Sequence, residues 1–159
     1  MPIYLQIDGI PGNVTEEGYE NWIKLDTCCG GVHRLLKSPA GDVANRDGGT
    51  VTINPITCSK GHCSASAKLE KEGWIGHQGR PAKIHFVTNG NPNLVTKEVE
   101  LKDVLVEYYN YDSSDGNVAQ ENFQLNFTEI SVTAHTYDKN NSVKDTSRYW
   151  FSLVTNKGG

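Results

Sequence analysis

Alternation of apolar and polar positions is the dominant pattern of the chain and predicts β-strands. Ile3, Leu5 and Ile7 share one face of the first segment, and the same alternation recurs at 22–27 and 50–54. A period of two is the signature of a half-buried strand. Further strand-like segments lie at about 32–36, 82–88, 95–109, 123–137 and 149–154. About eight or nine short strands in a chain of this length indicate a closed barrel or a sandwich.

Interruptions of this alternation predict where strands bend or end. The segment Cys28–Gly31 is expected to break or bend its strand, and Pro55 is expected to end the strand at 50–54. The alternation changes phase near Thr128 and Glu129, which predicts a bulge. A kink is expected at Asp103, within the long strand-like segment.

Only one segment favours a helix. Alanine, lysine and glutamate dominate from Ser64 to Glu72, with Ser64 as a possible N-cap and Gly73 as a possible C-terminal stop. The pattern therefore predicts one helix at about residues 64–73. No internal repeat is present, and the 159 residues fit one domain, 1–159, within the usual range of about 100–200 residues.

Composition and charge remove several classes of function. The formal charge is −4 and no basic patch is present, so nucleic-acid binding is not expected. The apolar runs are only a few residues long, as at Val104–Val106, against the roughly 20 that cross a bilayer, so membrane insertion is not expected. Met1–Asp8 lacks the basic and apolar regions of a signal peptide. We therefore expect folding in the cytoplasm, and any export to proceed without a cleaved signal peptide.

The cysteines form the sharpest chemical candidate. Cys58 and Cys63 are separated by four residues, which include His62, while Cys28 and Cys29 are adjacent. Neighbouring strand residues point to opposite faces, so Cys28 and Cys29 cannot easily complete a tetrahedral zinc site with the other pair. Four reduced thiols are favoured, and a Cys58–Cys63 disulfide formed after export is an alternative.

No catalytic pattern is recognisable. The five histidines are scattered, and the nucleophile elbow and Walker A motifs are missing. The sequence therefore predicts no enzyme, no catalytic residue, no cofactor and no metal. The seven tyrosines and three tryptophans could form a sugar-binding platform, although such residues are more often core or interface anchors. A monomeric β-sandwich module that binds glycans or another small ligand is therefore one hypothesis.

Several segments, in order, resemble the haemolysin-coregulated protein (Hcp) family, whose members form the tube of type VI secretion systems. They are the opening Ile3–Gly12, Gly18 with Trp22–Leu25, Gly49–Ile53, the Leu-x-Asp-Val strand within Lys97–Val106, and Glu121–Ile130. The last is the most specific, with Glu followed by Phe-x-Leu-x-Phe-x-x-Ile. The resemblance is weakest at 57–79, where family members commonly carry Ser-Ser-Pro before the helix.

The resemblance implies a compact β-barrel of two packed antiparallel sheets with one flanking α-helix. It also implies a homohexameric ring, rings stacked into a hollow tube, and a contractile sheath that expels the tube with its effector proteins. Its partners would be other copies of the chain, the tube-tip spike protein, the sheath and the effectors. Assembly would take place in the cytoplasm and be followed by secretion.

A long connection at 38–49 is the candidate contact between stacked rings. It is polar, rich in glycine, alanine and aspartate, and longer than the usual hairpin connection. Its candidate residues are Ser38, Asp42, Arg46 and Asp47, because mixed charges suit an interface that must form and later come apart. A flexible surface excursion is the alternative interpretation.

Overall fold

The computed structural model describes residues 1–41, 43 and 45–159 and contains, within them, ten strands and one helix. The elements are β1 (Ile3–Ile7), β2 (Ile23–Leu25), β3 (Thr27–Leu36), β4 (Asp47–Gly61), α1 (Ser66–Ile75), β5 (Arg80–Val87), β6 (Val95–Asp112), β7 (Gln120–Asn126), β8 (Glu129–Tyr137), β9 (Val143–Ser152) and β10 (Lys157–Gly158). The predicted mostly-β class with one helix is confirmed.

Strand β6 belongs to two sheets. It pairs with β8 up to Lys102 and with β5 up to Val104, and from Leu105 onwards it pairs with β7. The first sheet has the order β10-β9-β8-β6-β5-β1-β2, and the second has the order β3-β4-β7-β6. All these pairings are antiparallel, as the sequence indicated. Closure of the two sheets into a barrel stays a prediction.

The change of sheet takes place at Asp103, where a kink was predicted. Asp103 has a φ of 54°, in the left-handed region that few residues other than glycine adopt. Its Oδ2 accepts a hydrogen bond of 2.7 Å from Thr128 Oγ1. A Cβ on Gly79 would lie 2.6 Å from the Asp103 Cα, so this glycine is required by close approach. The predicted kink is confirmed.

The core fills the space between the two sheets. Alternate residues of the strands point into it, and Leu69 adds the buried face of the helix. The apolar side chains less than 2% exposed are Leu5, Ile23, Cys58, Ala65, Leu69, Ile84, Val87, Leu101, Phe123 and Leu125. All but Val87 pack in one cluster, which forms the main core of the domain, whereas Val87 belongs to a smaller second cluster.

The helix is displaced from the predicted range of about 64–73. It runs from Ser66 to Ile75, its N-cap is Ala65, and Ser64 does not cap it. The reason is that Ser66, not Ser64, makes the polar contacts at this end, since its Oγ accepts a hydrogen bond from Cys63 N–H. Gly73 lies inside the helix, a position that costs only about 1 kcal/mol relative to alanine.

Strand β4 continues through Pro55, so the prediction that Pro55 ends this strand is wrong. Gly31 pairs with Asn54 and Cys29 with Thr57, which leaves two β4 residues opposite Gly30. A bulge is one of the few sheet positions that accepts proline, because its N–H needs no ladder partner. The Cys28–Gly31 segment accordingly bends at this bulge without ending β3.

The predicted bulge near Thr128 and Glu129 is a break between strands. Strand β7 ends at Asn126 and β8 begins at Glu129, and the two strands pair with different partners in different sheets. The phase of the apolar–polar alternation therefore changes where the chain passes from one sheet to the other. Thr128 N–H bonds the Lys102 carbonyl at 3.1 Å, which ties this passage to the bend in β6.

The connection predicted at 38–49 is shorter than expected, because β4 already begins at Asp47. Lys37 N–H donates a hydrogen bond of 2.9 Å to the Arg46 carbonyl and closes the base of the connection.

Among the described residues, no helix has the length and apolar character needed to cross a membrane.

The strain at Asp103 predicts a substitution-specific loss of stability. Asp103→Val places a β-branched side chain at positive φ, and we expect it to lower the free energy of unfolding by about 1–3 kcal/mol. Asp103→Asn is the matched control, because asparagine tolerates this conformation and can still accept the Thr128 hydrogen bond. Urea unfolding of both variants measures the difference. Equal losses would show that the bend does not depend on this conformation.

Candidate assembly interface

The hairpin of β3 and β4 projects unburied apolar side chains. We call its outer part, residues 32–54, the arm. Val32 is 69% exposed, Leu35 56% and Leu36 44%. Every residue of β3 after Cys28 is exposed, and β3 pairs only with β4 among the described strands. A strand normally buries at least one of its faces, so β3 has the character of an interface element.

Strand β9 shows the same property at the other sheet. Its residues from Val143 to Trp150 are all exposed, although alternate residues point to opposite faces. The exposed apolar side chains on β9 and just after it are Val143, Tyr149, Trp150, Leu153 and Val154. We call β3 and β9 the outer strands, one in each sheet: residues 29–36 of β3 and 143–150 of β9 are exposed on both faces, and the short β10 pairs only with Phe151 and Ser152.

An apolar cavity of about 820 Å³ lies between these two outer strands. The buried residues Val99, Phe127 and Val132 line its interior, and Val32 and Trp150 line it from β3 and β9. Ile53, Phe86 and Ile130 line it as well and are only partly buried, although they pack against the core. The core is therefore incompletely covered on this side of the single chain.

We call the connection between Leu36 and Asp47 the tip of the arm, and two of the four predicted stacking residues, Ser38 and Arg46, are described within it. Arg46 Nε–H donates a hydrogen bond of 3.1 Å to Ser38 Oγ, so these two residues are brought together. Asp47 is the first residue of β4 and pairs with Leu36. Asp42 lies outside the described residues. The structure joins Ser38 to Arg46 and does not test whether the four residues contact another ring.

A buried ion pair lies away from the arm and was not predicted. Lys60, at the end of β4, pairs with Glu121 of β7, and their side chains are 0% and 4% exposed. Lys60 Nζ also donates to Ser66 Oγ at 2.9 Å and contacts Cys63 Sγ at 3.3 Å. Ser66 Oγ in turn donates to Glu121 Oε2 at 2.8 Å. The cluster joins the start of the helix to two strands of the second sheet.

The alternation did contain a signal for this pair. Glu121 is in phase with Phe123 and Leu125, and Lys60 with Cys58 and Ile56, whose side chains are all buried. Extending each apolar series by two residues therefore places opposite charges at neighbouring buried positions. Neither residue was predicted to be buried, because a pattern confined to one strand does not show that the other strand supplies its partner.

The hydrogen bonds of the cluster determine its electrostatics. Burial raises the pKa of Glu121, but hydrogen bonds from Lys60, Ser66 and Tyr109 outweigh burial and hold the pKa below its usual range. Burial also raises the pKa of Tyr109, and its hydrogen bond to Glu121 acts in the same direction. Glu121 is thus ionised and fully partnered, which suits a structural role better than proton transfer.

The histidines and cysteines are dispersed in the fold. No group of three or more potential metal ligands is found in the part of the chain that the structure describes. Cys28 faces Cys58 across the β3–β4 ladder, while Cys63 contacts Lys60. His85 Nδ1 lies 3.2 Å from the Tyr19 hydroxyl.

The buried aromatic residues pack on one another. The rings of Tyr4 and Tyr19 are stacked at 4.5 Å, and Tyr19 meets Trp22 edge-on at 5.0 Å. Tyr4 is 5% exposed and Tyr19 9%. These side chains are anchors of a small second core with Val87, and they do not form an open platform for a sugar.

An antiparallel two-sheet domain with uncovered outer strands has the form of an assembly subunit. The family model described as "Type VI secretion system effector, Hcp" matches residues 4–134. The chain therefore belongs to the Hcp family of type VI secretion tube proteins, as its sequence resemblance indicated. Members of this family are structural proteins and secreted components of that system.

Solved structures agree on the fold. "Structure of a type six secretion system protein" has a TM-score of 0.92 at 19% identity, with 99% of each chain covered. Hcp1 from Salmonella typhimurium has a TM-score of 0.80 at 17% identity, covering 99% of this chain and 98% of that one. A type VI secretion effector from Yersinia pestis has 0.75 at 14%, covering 94% and 98%. No curated protein sequence matches the chain significantly.

The buried ion pair predicts a stability effect larger than that of any surface charge. Lys60→Met leaves Glu121 buried without its cation, and we expect a loss of about 3–5 kcal/mol in the free energy of unfolding. Lys68→Met is the control, since Lys68 is an exposed lysine of the same helix region. Urea unfolding at neutral pH measures both. Equal small effects would show that the cluster does not hold the helix to the sheet.

Proposed function

We propose that this chain is the ring subunit of a type VI secretion tube, six copies forming a ring and rings stacking into a hollow conduit. The observation that carries the proposal is that β3 and β9, the outer strands beside the apolar cavity, are exposed on both faces. Family membership supports a role in the secretion tube, and the exposed strands are the surfaces through which copies of the chain would contact one another.

Ring closure needs two different surfaces on each copy. In a head-to-tail ring, one patch of a subunit meets another patch of its neighbour, and the rotation closes the ring. The arm presents Val32, Leu35 and Leu36, whereas the β9 side presents Tyr149 and Trp150. These patches lie on different sheets and differ in shape, aliphatic on one side and aromatic on the other. Burial of both patches in a ring would remove these apolar side chains of β3 and β9 from solvent.

Ring stacking is assigned to the tip of the arm. The connection between Leu36 and Asp47 is polar and carries Ser38, Asp42 and Arg46. Exposed polar and charged contacts contribute little individually, about 0–1 kcal/mol each, which suits stacking that is reversible. The interface within a ring would be apolar and durable, and the interface between rings polar and weaker.

The remaining parts of the proposal concern export and partners. The tube would assemble in the cytoplasm and leave the cell by mechanical expulsion without a cleaved signal peptide. The tube-tip spike, the sheath and effectors are the proposed partners, with the subunit acting as carrier of effectors and not as an enzyme. Nucleic-acid binding and membrane insertion are not part of this role. The glycan-binding monomer stays the alternative.

The apolar arm predicts an assembly defect from one substitution. Leu35→Asp places a charge on the exposed aliphatic patch, and we expect at least a tenfold weaker self-association, equivalent to about 1.4 kcal/mol or more per interface. Val118→Asp is the control, because Val118 is apolar and 72% exposed but lies between β6 and β7. Size-exclusion chromatography with light scattering compares the three proteins.

We expect rings for the wild type and for Val118→Asp, and smaller species for Leu35→Asp. A wild-type protein that stays monomeric at high concentration would contradict the ring proposal and favour the monomeric binding module. Unchanged assembly of Leu35→Asp would remove the arm from the ring interface.

The tip of the arm predicts a separate defect in stacking. Replacing residues 38–45 with Asn-Gly would join Lys37 to Arg46 through a two-residue hairpin turn and keep their backbone pairing. We expect single rings to form normally and stacks of rings to be lost. Negative-stain electron microscopy of wild type and variant at equal concentration measures both. Stacks in the variant, or loss of its rings, would contradict the assignment.

A further inference from the structure

Cys28 and Cys58 stand directly opposite each other on antiparallel strands. They are register partners in the β3–β4 ladder, and the next pair, Thr27 and Ser59, brings its hydroxyl oxygens to 2.6 Å. Directly opposed residues extend their side chains to the same face of the sheet. Their Cα atoms are about 4.5 or 5.5 Å apart in the two kinds of antiparallel pair, and both separations fall within the range of a disulfide.

The two thiols face each other across the ladder and differ in exposure. The Cys58 thiol is 0% exposed, whereas Cys28 is half-buried and lines the apolar cavity. A hydrogen bond from Cys58 lowers the pKa of Cys28 against the opposing effect of burial, with the charge of Lys97 acting in the same direction as the hydrogen bond. The same contact and burial raise the pKa of Cys58. Cys28 is therefore the accessible nucleophile and Cys58 the protected resolving thiol.

We propose that Cys28 and Cys58 form a reversible cross-strand disulfide that fastens the base of the arm, with a small-molecule disulfide as the oxidant. The Cys28 thiolate attacks the small disulfide, forms a mixed disulfide and releases one small thiolate. Cys58 then loses its proton to that thiolate and attacks the Cys28 sulfur, which expels the second small thiolate. Two protein thiols are oxidised by two electrons, and one small disulfide is reduced to two thiols.

The other cysteines are placed less well for this reaction. Cys29 is exposed, points to the opposite face from Cys28 and pairs with Thr57. Cys63 lies beyond the end of β4, 3.3 Å from Lys60 Nζ. The inference therefore differs from the Cys58–Cys63 disulfide considered from the sequence.

The bond would act on the arm as a unit. It would lie beside the bulge formed by Gly30 and Pro55, where β3 and β4 leave the core, and would enclose every residue of the arm. Disulfides are rare in reducing cytosol and persist in oxidising surroundings. Reduction inside the cell and oxidation outside it would give a subunit that folds with free thiols and is fastened after delivery. The chemistry itself does not rest on the proposed tube function.

The test uses the intact, reduced, native protein with oxidised glutathione as the oxidant. After denaturation and blocking of free thiols, trypsin cuts after Lys24, Arg34, Arg46, Lys60 and Lys68 and thereby separates Cys58 from Cys63. We expect peptide 25–34 linked to peptide 47–60, with fragmentation placing the bond on Cys28. We also expect the melting temperature to rise by roughly 5–10 °C, because the bond constrains the unfolded chain.

Matched variants separate this bond from adventitious oxidation. Cys29→Ser should leave the linked peptides unchanged, whereas Cys28→Ser should abolish them. Four unreacted thiols after treatment would overturn the proposal. So would linkage of peptide 61–68 in place of peptide 47–60, or a link that persists in Cys28→Ser.

Discussion

Both sheets share one strand, and this sharing sets the positions of the other strands. Strand β6 can serve two sheets only by turning at Asp103, where the backbone adopts a φ of 54°. Because of this turn, the first half of β6 pairs with β5 and β8, and the second half pairs with β7. The buried side chains of both sheets consequently face a common interior, and the outer strands β3 and β9 come to flank one cavity. The surfaces proposed for assembly are thus positioned by a bend far from both of them in the sequence.

A second constraint holds the helix in place. Lys60, Ser66 and Glu121 form a closed set of charged and hydroxyl partners in a region without solvent access. Such a pair is costly to bury and strongly destabilising to break, so it favours one arrangement of β4, β7 and the helix over others. The most deeply buried contacts therefore lie around the bend and this cluster. The arm extends from that region, and its β3 residues are exposed.

The alternation of apolar and polar positions predicts much of the fold, but it does not predict which residues face each other on neighbouring strands. The positions of most strands, the bend at Asp103 and the single helix could all be predicted, because each depends on local periodicity or local backbone preference. Pro55 was misjudged because its tolerance depends on Gly30 in the neighbouring strand. Lys60 and Glu121 were missed for the same reason, since each charge is acceptable only beside the other. At the candidate site, the sequence pointed to the connection at 38–49, whose contact with another ring stays a prediction, whereas the exposure of β9 on both faces became visible only in the folded chain.

In the proposed assembly, the outer strands of this domain are covered by other copies of the same chain. Electron cryomicroscopy of the purified wild-type protein, at a concentration where it assembles, shows whether they are. We expect a closed ring of six copies, with the Leu35 side of the arm packed against a neighbour and the tip of the arm between stacked rings. Isolated single subunits, or a ring in which β3 and β9 both remain exposed to solvent, would contradict it.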